Sequence, residues 1–177
     1  MSLLQGKKIV VMGVANKRSI AWGCAKALTE QGAEVIYTYQ NERMKKQLDK
    51  LVPEGAFLVE ADAASDESLE AAFNAIGEYA GEIHGVIHAI AYANKADLSG
   101  NILDISREGF ALAQDISAYS FIATAKYAKP YLAENAGLVT MSYLGSQRAV
   151  PNYNMMGIAK AALEAEVRYL AAELSRS

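Results

Sequence analysis

Lys8-Ile9-Val10-Val11-Met12-Gly13-Val14-Ala15-Asn16-Lys17-Arg18-Ser19-Ile20-Ala21 changes character twice within a short stretch of chain. Lys8–Met12 is a brief, β-branched apolar run, as expected of a strand covered on both faces. From Ser19 onward the pattern is helical. The loop between them would present backbone N–H groups at a helix N-terminus, where a dinucleotide-binding fold seats a pyrophosphate. The loop departs from G-x-G-x-x-G: only Gly13 holds a glycine position, and Ser19 and Ala21 stand where glycines are usual. A small hydroxyl residue still admits a phosphate and can hydrogen-bond it. From these residues alone an ordinary strand-to-helix loop remains the alternative.

Outward from this stretch the alternation continues. Further strand candidates are Glu34–Tyr39, Ala56–Glu60, Gly85–Ile90 and Leu138–Ser142. Helical patterns cover about Ser19–Gln31, Glu42–Leu51, Asp66–Tyr79, Arg107–Leu132 and Asn152–Leu174. Gly32 and Gly137 are expected as helix C-caps and Asp66 as an N-cap. Strands alternating with helices predict an α/β fold, a doubly wound parallel sheet of Rossmann type with right-handed crossovers. No linker, internal repeat or low-complexity segment interrupts residues 1–177, so one dinucleotide-binding domain is expected.

Composition bounds the function. With 177 residues, 52% of them hydrophobic, and three prolines, the chain can bury one sizeable core. A net charge of −3 without long basic runs argues against nucleic acid as a partner. The single cysteine, Cys24, excludes an intramolecular disulfide framework and suits a reducing cytosol, so a cytoplasmic location is expected. The apolar run after Lys7 and Lys8 is too short for a signal peptide, and no stretch suffices to span a bilayer, so no membrane partner is expected. The helix Arg107–Leu132 carries Phe110, Leu112, Ala113, Ile116, Ala118, Phe121, Ile122, Ala125 and Ala128 around most of its circumference. A helix apolar nearly all round is covered on more than one side. One cover would be the sheet and the other a partner subunit, which predicts a homo-oligomer; extra intrachain cover is the alternative.

Candidate chemistry concentrates late in the chain. Tyr153 and Lys160 are seven residues apart. At about 100° per residue, seven steps nearly close two turns and put both side chains on one helix face. A phenol beside an ammonium can donate to an oxygen that gathers negative charge while a cation stabilises it. Gln40 ends the second strand, where an acid commonly binds ribose hydroxyls and a basic cluster a 2′-phosphate; Gln40 is neither. Asp62-Ala63, after the third strand, is placed to meet an adenine. His88 reads as a satisfied core histidine and His84 as a surface one. Asp115 and Ser117 read as structural. Met156, Ala159, Leu163, Val167 and Leu170 form an expected buried stripe.

Taken together, Gly13-Val14-Ala15-Asn16 with Ser19-Ile20-Ala21, Thr38-Tyr39-Gln40, Ile87-His88-Ala89-Ile90-Ala91, Ser142-Tyr143-Leu144-Gly145 and Pro151-Asn152-Tyr153-Asn154-Met155-Met156-Gly157 closely resemble the bacterial NADH-dependent enoyl-acyl-carrier-protein reductases of fatty-acid synthesis. These are divergent short-chain dehydrogenase/reductases. The resemblance runs from end to end of the chain. Ordinary superfamily members carry Tyr-x3-Lys; here Gly157 occupies that place and the lysine comes at Tyr-x6-Lys, which speaks against a 3-oxoacyl (carbonyl) reductase. The resemblance implies that Tyr153 donates to the thioester carbonyl, Lys160 holds the nicotinamide ribose, and Tyr143 lines the acyl pocket. It implies dinucleotide contacts at Gly13, Ser19, Ile20, Gln40, Asp62, Ala63 and Ile90, and a substrate contact at Ala93. It further implies NADH rather than NADPH, an enoyl chain carried on acyl carrier protein as substrate, a homotetramer, and no metal. Family members continue beyond the position of Ser177 with further strands and a cover over nicotinamide and acyl chain. A chain of these residues alone is therefore expected to expose one sheet edge and hold the nicotinamide weakly, leaving a nucleotide-binding module without turnover as a third reading.

Overall fold

Every apolar run anticipated as a strand contributes to one five-stranded, all-parallel sheet in a computed structural model that describes residues 2–175. The strands are β1 (Lys8–Met12), β2 (Glu34–Tyr39), β3 (Leu58–Glu60), β4 (Ile83–His88) and β5 (Leu132–Thr140), in spatial order β3-β2-β1-β4-β5. The order reverses beside β1, the mark of a doubly wound sheet, and places a ligand crevice at the strands' carboxyl ends. The helices are α1 (Ile20–Glu30), α2 (Glu42–Leu48), α3 (Asp66–Ala80), α4 (Lys95–Leu98), α5 (Arg107–Gln114), α6 (Ser120–Ala128) and α7 (Asn154–Leu174).

The chain divides into two compact units, Met1–Ala89 with Lys126–Thr140, and Ile90–Ala125 with Met141–Ser177. Met1, Arg176 and Ser177, the ends of the expected domain span, lie outside the described residues. The first unit holds the sheet. Ala21 and Ala25 of α1 pack with Val11, Val14, Val35, Tyr37 and Leu48 in its core. Small residues on that helix face let it approach the sheet closely, and each fully buried Val or Leu contributes about 1.5–3 kcal/mol. In the second unit the buried side chains include Ala113, Ala118 and Phe121, and Met155, Ala159 and Leu163 of α7.

Several boundaries differ from expectation, each for a local reason. The apolar helix expected over Arg107–Leu132 is interrupted by a π-helical segment at Asp115–Tyr119, continues as α6, and ends in a 3-10 turn at Lys129–Tyr131. Pro130 lacks an N–H and closes that helix. β5 therefore starts at Leu132, and Gly137 is a strand residue paired with Gly85 rather than a helix cap. A Cβ at Gly85 would come within 3.2 Å of the Gly137 carbonyl oxygen, so the missing side chain at Gly85 leaves room for β5 beside β4, whereas a Cβ at Gly137 would meet nothing within 4 Å. Ser65, not Asp66, caps α3, because its hydroxyl accepts from the Ser68 N–H. Gly32 follows α1 with φ +89, as anticipated for a helix stop. The expected stripe on α7 holds through Leu163 and fails at Val167, which is 41% exposed.

Candidate active site

The carboxyl ends of β1, β2 and β3 collect the first group of expected residues. Gly13 leaves β1 with φ +105, and a Cβ there would overlap the carbonyl oxygen of Ala89. Both conditions exclude other residues. The loop then closes on Ser19, whose Oγ accepts from the N–H groups of Ala15 and Asn16, both at 3.0 Å. Asn16 in turn accepts from the Arg18 N–H at 2.8 Å. With its oxygen so engaged, the Ser19 hydroxyl has its proton to offer outward. The first turn of α1 contains no acidic residue and leaves N–H groups without intrahelical acceptors, favourable for an anion. Ile20 stands 68% exposed beside it.

Gln40 is exposed at the end of β2, and the neighbouring Asn41 side chain caps α2 by accepting from the Met44 N–H. Asp62 is half-buried; its Oδ1 accepts from the Ala64 N–H and its own N–H donates to Ser68 Oγ, which fixes Asp62-Ala63 beyond β3. These residues suit a dinucleotide: turned-out N–H groups and a hydroxyl for phosphates, an amide and a carboxylate for sugar and base, and an exposed apolar face. His88 is fully buried, with Nδ1 2.9 Å from Thr140 Oγ1, a satisfied core histidine. His84 is half-buried rather than on the surface, and its Nδ1 accepts from the Lys8 N–H.

The second unit carries Tyr143, Tyr153 and Lys160. Pro151-Asn152 turns the chain into α7, with Asn152 at φ +62, a left-handed conformation that asparagine tolerates better than most residues. Tyr153 is thereby the N-cap of α7 rather than a residue within it. Its ring meets that of Tyr143 edge-on, with centroids 4.9 Å apart, a contact worth about 0.5–1.5 kcal/mol. Burial, and secondarily Tyr143 beside it, raise the Tyr153 phenol above its ordinary pKa, so it stays a proton-bearing donor at neutral pH. Lys160 is buried, and its Nζ donates to the Met141 carbonyl at 2.6 Å. Burial lowers its pKa. One of three ammonium donors is used there, so two can serve a ligand.

Ile90 and Ala93, both half-buried, flank a segment pinned by Ser117. That buried hydroxyl accepts from the Tyr92 N–H and donates to the Tyr92 carbonyl, both at 2.8 Å. Ser117 lies within the interruption of the helix at Asp115–Tyr119. A cavity of about 460 Å³ adjoins Tyr153, lined chiefly by residues 145–150, Gly157 and Ile158. Neither Tyr143 nor Lys160 lines it.

Two glycines quoted for the resemblance were given no structural role by sequence. A Cβ at Gly145 would overlap the Tyr153 ring, and a Cβ at Gly157 would lie 2.7 Å from the Gly145 carbonyl oxygen. Backbone at Gly145 therefore forms a wall on which Tyr153 rests, and α7 approaches that wall through Gly157. The signal was present in Tyr-Leu-Gly and Met-Met-Gly, but only contact shows what the missing side chains admit.

Comparison with known proteins bears on this site. The family model described as enoyl-(acyl carrier protein) reductase matches residues 13–177. An enoyl-acyl-carrier-protein reductase of Enterococcus faecalis, named as the NADH form, is 65% identical over 172 residues, covering 97% of this chain and 69% of the relative. A Staphylococcus aureus relative named as the NADPH form is 50% identical over 176 residues, covering 97% and 68%. The crystal structure of the Bacillus cereus enoyl-acyl carrier protein reductase with NADP+ and indole naphthyridinone superposes with a TM-score of 0.95 at 49% identity, covering 99% of this chain and 70% of that one. A family model over most of the chain and relatives of this identity and coverage show that the chain belongs to the enoyl-(acyl carrier protein) reductase family.

Proposed function

We propose that this chain reduces the trans-2 double bond of enoyl thioesters carried on acyl carrier protein, using NADH, in fatty-acid biosynthesis. The observation that carries the reading is the edge-on seat of Tyr153 against Tyr143, with Tyr153 kept protonated by burial. Gly13, Ser19, Ile20, Gln40, Asp62, Ala63 and Ile90 would hold the dinucleotide, and Lys160 its nicotinamide ribose. When bound, the reduced nicotinamide supplies the hydride.

Addition at the β-carbon sends charge to the thioester oxygen. The Tyr153 hydroxyl donates to that oxygen and stabilises the enolate more than the neutral ground state. One such donor is worth roughly 3 kcal/mol. Lys160 adds positive potential and need not give up a proton. Tyr143 and Ala93 would line the acyl side.

For NADH over NADPH, Gln40 offers an amide to ribose hydroxyls and no charge for a 2′-phosphate, while Lys45 lies 3.5 Å from Asp49. Because relatives of both cofactor forms exist, the choice is tested on this chain. Residues 1–177 are read as one dinucleotide-binding domain. Exposed Phe110, Tyr119 and Ile122 support a homo-oligomer, a tetramer, which native mass spectrometry would contradict by finding only monomer. No helix among the described residues is long and apolar enough to cross a membrane, and a cytoplasmic setting fits the lone Cys24.

The test measures nicotinamide oxidation with a crotonyl thioester, an acetoacetyl thioester and no substrate, with NADH and then NADPH. Oxidation with the crotonyl thioester and NADH is expected. Oxidation only with the acetoacetyl thioester would replace this reading with carbonyl reduction, and cofactor binding without turnover would replace it with a binding module.

A further inference from the structure

Tyr143 is 51% exposed, yet its ring holds a defined edge-on contact. A half-exposed ring on a turn needs its backbone fixed if it is to keep that orientation. The turn is a 3-10 segment at Leu144–Ser146, in which the Ser146 N–H donates to the Tyr143 carbonyl at 3.0 Å. Glu164 reaches it from α7. Its Oε1 accepts from the hydroxyls of Ser142 and Ser146, each at 2.6 Å. Those serines bracket Tyr143, Leu144 and Gly145. Bonds from hydroxyls to a carboxylate are short and about twice as strong as neutral ones.

Glu164 stands four residues after Lys160, on the same face of α7. The lysine holds the Met141 carbonyl, so two successive turns of α7 grip the segment on both sides of the tyrosine. The bonds from Ser142 and Ser146 are the main cause of the lowered Glu164 pKa, with Arg168 adding in the same direction. The carboxylate thus stays ionised through the neutral range.

We propose that Glu164 is the positioning residue of Tyr143: by clamping Ser142 and Ser146 it fixes the turn that seats Tyr143 edge-on against Tyr153, and so governs the fit of the enoyl thioester. Glu164 touches neither substrate nor cofactor in this scheme and acts only through the turn. The inference rests on the proposed reductase reading for its kinetic consequence, and on the geometry alone for its structural one.

The experiment has two arms. Kinetically, Glu164→Ala is expected to raise KM for a crotonyl thioester about tenfold or more, leaving KM for NADH unchanged. Glu164→Gln, which retains an acceptor oxygen, restores most of the loss. In a Tyr143→Ala background, Glu164→Ala adds nothing further. Equal rises in both KM values, or a full additional loss in the Tyr143→Ala background, overturns the proposal. Structurally, NMR of ring-labelled tyrosine is expected to show a Tyr143–Tyr153 cross-peak that weakens in Glu164→Ala and persists in Glu164→Gln. Should Glu164→Ala fail to fold, the Ser142→Ala/Ser146→Ala double variant takes its place in both arms. An unchanged cross-peak overturns the clamp. Absence of turnover in the unmodified chain would count against the reductase reading, while the cross-peak still decides the role of Glu164.

Discussion

Glu166 shows how one side chain can tie stability to pH. Among the described residues its Oε2 is buried without a hydrogen-bond partner, and burial pushes the carboxyl up to about 7. The folded state therefore holds the proton more tightly than the unfolded chain, whose carboxyl titrates near 4.3. Stability is unaffected below that value, falls as pH rises toward 7, and stays lowered above it. Glu166→Gln removes the ionisation. The variant is expected to be more stable than the parent at pH 8 by about 1–2 kcal/mol, a figure reduced for partial solvent access. The gap should narrow by pH 5 and close below about pH 4. Thermal unfolding at the two pH values measures it, and equal gaps at both would contradict the assignment. Periodicity placed this residue on a helix, but a carboxylate on the apolar side of α7 is visible only once Met155 and Ala159 show which side that is.

At the scale of elements, the strand-to-helix unit at the start of the chain was legible because two periods meet at Gly13. β1 and β2 matched their apolar runs residue for residue, since continuous β-branched patterns have few alternatives. The long apolar helix was less legible. Its break at Asp115–Tyr119 contains Ser117, which binds both backbone groups of Tyr92, a long-range contact with no local pattern. The candidate site shows the same division. Tyr153 and Lys160 were readable as residue types at a spacing and Tyr143 only through the family resemblance, whereas the wall at Gly145 depends on a contact between the turn and α7. Adding a methyl there displaces the Tyr153 ring. Gly145→Ala is expected to lower turnover about a hundredfold, the usual scale for a misplacement near 1 Å. Steady-state rates measure this, and a variant as active as the parent would show that the ring does not need its wall.

For the whole molecule, fold class followed from the order of elements: parallel strands joined by helices leave few topologies, and the order β3-β2-β1-β4-β5 is one of them. Family membership agrees with this architecture, and the chain spans 69% of the length of its E. faecalis relative. Phe110 of α5 and Ile122 of α6 are exposed apolar residues that self-association would cover. The proposed function turns on a narrower point, that Tyr153 would act on the reacting oxygen and not on cofactor binding. The most direct measurement compares turnover of a crotonyl thioester with NADH affinity in Tyr153→Phe. Loss of one donor aimed at the enolate predicts turnover lower by about a hundredfold, or roughly 3 kcal/mol, with NADH affinity unchanged. Unchanged turnover, or a fall in NADH affinity equal to the fall in turnover, would contradict it.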